Sequence, residues 1–400
     1  MVRLPPQTAD PAADAAALLR RIGFTFLMLA LPTAALVARR GVVVLAPLGI
    51  ILLVIAALID GGARPAAESL RRLTGSLAGR AAALVLLWCG LSLIWTPFRA
   101  EAAERLVNIT ATVALAVAGY LALPDRMRSA NLYILPVGVG LAALLAVVLA
   151  LTGGDEEDAQ NLHRGLIVLA ILVWPAASWL RSRGRDLESV LLALMVALAP
   201  VLRPEFLPLQ GLAIGAVAFA LAAAHPVLGA RLMAAAMAGL LVAAPLLPFV
   251  LRPLAAAWLG AGHPVAASLE TWQAVIASEP VRLITGHGFE TALRGRFVGL
   301  LAANAPSTVL FEVWYELGVV GAVAGALALY RSAERAGREH PILAPGMVAA
   351  FATAFAYACL GIGTAQVWWF TALAVAILMF VATERGQFRT SRPKAILQRR

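Results

Sequence analysis

Charge is scarce in this chain. Only 14% of its 400 residues are Asp, Glu, Lys or Arg, against about 25% in an ordinary soluble domain. With 61% apolar residues and a mean hydropathy of +0.85, a soluble globule would be left with large exposed apolar patches. The same numbers exclude a disordered chain, which needs a polar, charged composition. Cysteine is nearly missing. Cys89 and Cys359 both lie inside apolar runs, where a thiol behaves as a small buried hydrophobe and offers neither a disulfide framework nor a metal-binding spacing. Ten-residue stretches of alternating polarity, the mark of a membrane β-barrel, are absent. There is no P-loop, no HExxH and no internal repeat, and the GHG at 286–288 is too short for a nucleotide fingerprint. The five histidines are scattered without metal spacing, so neither a metal nor a cofactor is implied. Lysine is represented by Lys394 alone, so the net charge of +10 is carried by arginine. In a soluble protein that would suggest nucleic acid. Here the arginines punctuate apolar runs and mark topology, so no nucleic-acid partner is expected. The first 20 residues are polar to mixed, with no cleavable leader.

What is present is a series of long runs rich in Ala and Leu. A helix crossing the bilayer core needs about 20 apolar residues. Runs bounded by charge, Gly or Pro predict about twelve transmembrane helices near 23–38, 42–59, 81–97, 106–123, 132–152, 165–180, 187–202, 207–224, 229–250, 307–329, 345–361 and 366–382. The fold class is therefore an all-α, polytopic integral membrane protein. Its parts are an N-terminal segment (1–22), helices 1–9 (23–250), a large loop (251–306), helices 10–12 (307–382) and a basic tail (383–400). Twelve spans place both termini on one side. Setting them in the cytoplasm gives that side 22 of the 32 Lys and Arg, as the positive-inside rule requires; Arg39–Arg40 is the clear dissent. The 251–306 loop, before helix 10, is then periplasmic. Within it, 268–278 (SLETWQAVIAS) puts Leu269, Trp272 and Val275 on one helical face, which predicts a short helix lying at the membrane interface. The basic tail suits anionic lipid.

Two features could carry chemistry. Arg164, Arg203, Arg252, Arg282, Arg294 and Arg296 fall on the outward side against the topological bias. Guanidinium forks match phosphate oxygens two at a time, so arginines gathered there would suit a lipid-linked diphosphate; taken singly, each also fits a membrane-boundary marker. Second, Glu312 and Glu316 share a face at i, i+4 near the start of helix 10. Carboxylates inside a span are costly unless they face the bundle interior or water.

These residues sit in a recognisable pattern. Trp272 in SLETW, then Pro280, then GHGFET at 286–291, and after a gap LFEVWYELGVVG at 310–321, resemble the O-antigen ligase and O-antigen polymerase superfamily of polytopic membrane glycosyltransferases. The last block matches the family's Glu-x-Gly-x-x-Gly as Glu316-Leu317-Gly318-Val319-Val320-Gly321, and Arg164 in NLHRG stands near a family arginine. The chain departs from the family at Ser307, where a His is usual. The resemblance implies a bacterial inner-membrane enzyme that transfers or polymerises glycans from undecaprenyl-diphosphate carriers for surface polysaccharide. The acceptor would be another lipid-linked glycan or a lipid A core, with membrane lipid as surroundings. On this reading Glu312 or Glu316 is the catalytic carboxylate that accepts the acceptor hydroxyl's proton. Arg164, Arg203, Arg282, Arg294, Arg296, His287, Ser307 and Trp272 would hold the diphosphate and glycan. Two other readings remain open: a secondary transporter or lipid-linked glycan flippase, and a non-catalytic partner in a polysaccharide export complex.

Overall fold

The computed structural model describes residues 11–61, 66–125, 127, 129–260, 262–363 and 366–386. Among them the chain is 84% helix with no strand. The helices are α1 (Pro11–Thr25), α2 (Leu31–Val37), α3 (Gly41–Ile59), α4 (Ala66–Gly75), α5 (Leu77–Ser92), α6 (Arg99–Ala122), α7 (Ile134–Thr152), α8 (Glu156–Ser182), α9 (Asp186–Leu202), α10 (Phe206–Ala224), α11 (Pro226–Val242), α12 (Leu247–Leu259), α13 (Pro264–Ser278), α14 (Arg282–Thr285), α15 (Thr291–Phe297), α16 (Val309–Glu339), α17 (Ala344–Leu360) and α18 (Val367–Arg385). A π turn at Phe26–Ala30 joins α1 to α2. Each of the twelve expected segments falls on a helix. Among the described residues, eight helices are long and apolar enough to cross a membrane, or up to ten if each of two bent pairs is one span. Large apolar side chains point outward along the bundle, Leu87 at 71% exposure and Leu151 at 68% among them, as a lipid-facing surface requires.

The helix boundaries correct several expectations. The segment 81–97 is helical only to Ser92, where the Ser92 hydroxyl turns back to the Cys89 carbonyl (2.7 Å) and Pro97 follows. The segment 229–250 is not one straight helix. It breaks at Ala243–Leu246, beside Pro245 and Pro248, and α12 leaves at 59°. Helix α16 runs ten residues past its expected end at 329, because its charged end pairs internally: Arg335 with Glu339 (2.6 Å), Arg331 with Glu334 (3.3 Å) and Arg338 with Glu334 (3.6 Å). The acidic run Asp155–Asp158 begins α8 as well as bounding a loop. The Asp155 carboxylate accepts the Asp158 N–H (2.9 Å), and Glu156, Glu157 and Asp158 face the positive end of the helix dipole.

α8 is the axis of the bundle. Buried from Gly165 to Leu180, it packs against α2, α7, α9, α10, α17 and α18. At one end of the bundle a latch gathers four elements. Arg385 donates to the carbonyls of Tyr120 (3.0 Å) and Leu123 (2.5 Å), the Met127 N–H donates to the Arg385 carbonyl (3.2 Å), and Arg183 donates to the Gly386 carbonyl (2.8 Å). Beyond 386 the basic tail lies outside the described residues, as do residues 1–10. At the other end, 251–306 is folded rather than an open connection. Arg252 bonds Gln273 (3.0 Å) and Glu270 (2.6 Å), tying α12 to α13. The expected apolar face of α13 does form, but it packs on protein: Trp272 is buried against Phe311 of α16, ring centroids 5.7 Å apart, and Leu269 and Val275 lie in the same cluster.

Candidate functional site

The site is built around a break in α16. Gly318 has φ 63° and ψ −158°, a conformation that side chains exclude. Around the break, three backbone carbonyls find partners outside the helix. Tyr315 accepts the His287 N–H (2.8 Å), Glu316 accepts the Gly288 N–H (3.0 Å), and Leu317 accepts the Trp88 indole N–H (2.8 Å). The GHG triplet is thus a backbone clamp. Gly286 approaches so closely that a Cβ there would lie 2.2 Å from the Glu316 carbonyl. The next residue, Phe289, is held by α5 and the turn after it: its N–H donates to Ser92 Oγ (3.1 Å) and its carbonyl accepts from Thr96 Oγ1 (2.9 Å).

Glu290 follows in the left-handed region at φ 70°, the single described non-glycine residue with positive φ, and it heads α15. Its carboxylate meets Arg105 of α6, and Arg294, one turn on, lies 3.6 Å from its other oxygen. Arg105 is also 3.7 Å from Glu316 and sits over the Phe289 ring. Glu316 accepts the Ala292 N–H as well (3.1 Å). One turn earlier on α16, Glu312 receives Arg296 (3.3 Å), which also donates to Ser307 Oγ and the Pro306 carbonyl (2.7 Å each). The turn after α17 closes this side, with Gly363 against the Glu312 carboxylate.

Three arginines and three glutamates therefore meet at one end of the bundle, formally neutral together. Glu290, Glu312, Glu316, Arg105 and Arg296 are largely sheltered, whereas the Arg294 side chain is 44% exposed. Removing one member of a sheltered pair strands an opposite charge, at about 3–5 kcal/mol. The shared face of Glu312 and Glu316 is present, but the two carboxylates serve different arginines.

Beside this network runs a column of rings. Trp272 meets Phe311 edge to face, Phe311 stacks on Tyr315 (5.2 Å), and Tyr315 stacks on the His287 imidazole (4.1 Å). These rings line a narrow cleft with Glu279 and Arg282 at its rim. His287 Nδ1 lies 3.1 Å from the Tyr315 carbonyl and Nε2 lies 3.4 Å from the Glu279 carboxylate. Burial holds the imidazole below its ordinary pKa, against the opposing pull of the Tyr315 carbonyl and Glu279.

Of the residues singled out in the sequence, Arg294, Arg296, Glu312, Glu316, Ser307, His287 and Trp272 come together here, and Arg282 stands at the cleft rim, paired with Glu279 (3.5 Å). Arg164 and Arg203 do not join them. They lie at the start of α8 and the end of α9, next to a His163–Glu205 contact of 2.7 Å. Among the described residues no hydrogen bond or ion pair links either one to the network. Arg105 and Glu290 escaped sequence reasoning. In the sequence Arg105 is one of many arginines beside apolar runs, and nothing singles out Glu290 inside GHGFET; 185 residues separate them. Among the described residues no group of three His, Cys, Asp or Glu is placed to hold a metal ion. Comparison of the chain with family models, curated proteins and solved structures gives no match.

Proposed function

We propose that the protein is a membrane glycosyltransferase of the O-antigen ligase or polymerase type, acting on glycans carried by undecaprenyl diphosphate. The observation that carries this reading is the gathering of scattered motif pieces. Trp272, the GHGFET loop and the Glu-x-Gly block, spread over 272–321, surround one helix break, with three arginines beside them. In the reaction an acceptor sugar hydroxyl attacks the anomeric carbon of the donor glycan, and the bond to the carrier diphosphate breaks. Arg294, half-exposed, meets the diphosphate first, and Arg296 stabilises charge on the departing oxygen. Glu316, fixed by Arg105 and the Ala292 N–H, shapes the site. Glu312 holds Arg296 in place. The site faces the periplasm of a bacterial inner membrane with both termini in the cytoplasm. Supporting this, the opposite end carries Arg183, Arg331, Arg335, Arg338 and Arg385.

The broken α16 also favours a second reading, a lipid-linked glycan carrier, since interrupted helices mark the substrate sites of transporters. Purified protein in vesicles containing extracted lipid-linked glycans separates the two. Glycan elongation or transfer supports the enzyme, and movement between leaflets without new bonds supports the carrier.

A further inference from the structure

The geometry points to His287 as the group that takes the acceptor hydroxyl proton, with Glu279 positioning and stabilising the imidazolium that results. This inference rests on the glycosyl-transfer reading.

The starting point is the placement of acceptors around the ring. Nδ1 faces a backbone carbonyl, that of Tyr315, at 3.1 Å. Both flanking groups only accept, the Tyr315 carbonyl at Nδ1 and the Glu279 carboxylate at Nε2; the shorter contact keeps the hydrogen on Nδ1, so in the neutral ring the lone pair falls on Nε2. Nε2 faces the cleft rim, where Glu279 stands 3.4 Å away. That is longer than the about 2.7–2.9 Å of a tight charge-assisted bond, and the Glu279 side chain is 55% exposed, free to shift. A sugar hydroxyl entering between Nε2 and solvent meets a fixed lone pair. The ring itself cannot turn away, because Tyr315 stacks beneath it and the His287 N–H is tied to the same carbonyl.

The alternative proton acceptors are less free. Glu312 is engaged by Arg296, and Glu316 by Arg105 and the Ala292 N–H. A proton placed on either carboxylate breaks a sheltered ion pair. A proton placed on Nε2 creates a new one, because the imidazolium then donates to the Tyr315 carbonyl on one side and to the Glu279 carboxylate on the other.

The step balances. The acceptor O–H bond breaks and its proton goes to Nε2. The oxygen bonds to the anomeric carbon of the donor glycan. The bond from that carbon to the carrier diphosphate breaks, and its electron pair leaves on the diphosphate oxygen. The imidazolium later releases its proton to water at the rim, and no oxidant or further reactant is needed. The ring works in its neutral form, which its sheltered position favours. The charged and titratable groups facing it are Glu279 from the turn after α13, Arg282 at the start of α14, and Tyr315 from α16.

The test uses the full-length protein in detergent with undecaprenyl-diphosphate-linked glycans extracted from the producing cells. It follows transfer against pH for the parent, His287→Asn and Glu279→Gln. Asparagine keeps a donor for the Tyr315 carbonyl and removes the base. His287→Asn is expected to elute and melt like the parent, to lose about 10²–10⁴ in rate, and to lose the parent's acid limb. Glu279→Gln is expected to move that limb to lower pH, because it removes a carboxylate that favours the protonated ring. A parent that transfers glycan beside an equally active His287→Asn with an unchanged pH profile overturns the assignment and leaves the transfer reading intact. A parent with no transfer removes the reading and the assignment together.

Discussion

Gly318→Ala tests the break on which the site depends. Two costs can be worked from the structure. Alanine at φ 63° and ψ −158° carries about 1–3 kcal/mol of backbone strain. Its Cβ would also lie 2.5 Å from the Ile284 carbonyl oxygen and 2.7 Å from the Gly286 nitrogen. Those are backbone atoms, so relief requires the 284–288 loop to retreat. Retreat gives up the His287 and Gly288 N–H bonds to the Tyr315 and Glu316 carbonyls, each worth about 1 kcal/mol. The expected loss is about 3–5 kcal/mol in all, together with release of Glu290 from Arg105. Thermal unfolding in detergent reads the first effect. Hydrogen exchange across 286–291 reads the second, which should rise by orders of magnitude. Gly299→Ala is the control: it is also left-handed, at φ 77°, but has open space around it, so it isolates strain from clash and should cost only about 1–2 kcal/mol. A Gly318→Ala protein that melts with the Gly299→Ala variant, with 286–291 still protected, would refute the reasoning.

Three further outcomes are expected. Arg294→Ala should leave thermal stability within about 1 kcal/mol, since the side chain is half-exposed, while cutting transfer at least about 30-fold through loss of a charged contact worth about 2–5 kcal/mol; unchanged transfer would leave Arg294 a surface residue. Arg296→Ala should destabilise the protein by up to about 3–5 kcal/mol by taking the paired cation from the buried Glu312, and Arg296→Lys should restore part of that stability but little transfer, because one ammonium cannot reach Ser307, Pro306 and Glu312 together. Ala303→Cys, exposed between α15 and α16 and placed on a chain with Cys89 and Cys359 replaced, should react with an impermeant maleimide on the periplasmic side of intact inner membranes. Labelling that appears only after this membrane is opened would reverse the topology.

Hydropathy made the helices legible because each apolar run exceeds what a strand or loop can hold, and it bounded α3, α7 and α10 to within a few residues. It was blind where hydrophobicity does not change. Gly318 lies within an apolar stretch, so the break in α16 leaves no mark on any average, although Glu-x-Gly flagged the place. The far end of α16 read as loop because Arg331, Glu334, Arg335 and Arg338 look solvated one at a time and stabilise a helix only in i, i+3 and i, i+4 pairs. In 251–306 the amphipathic face of 268–278 was visible, but not what it faced: lipid and the Phe311 side of α16 are equally apolar. The carboxylates of α16 and the arginines of α15 could be found as conspicuous charges. Their pairing could not, since the Arg105–Glu290 contact follows from α5, α6 and the 286–290 loop closing on one another.

The latch at the other end sets an order of assembly. α8 forms early in synthesis, yet two of the helices that cover it, α17 and α18, are made long after it. Until then, part of its face meets lipid or whichever helix is nearest. The carbonyls of Tyr120 and Leu123 and the guanidinium of Arg183 likewise wait for Arg385 and Gly386. Chains grow and fold from the N-terminus, so this bundle is sealed by residues that emerge long after its axis has formed. A product truncated before α18 would carry an open seam and unmet polar groups, a form that membrane proteases can distinguish from the finished protein.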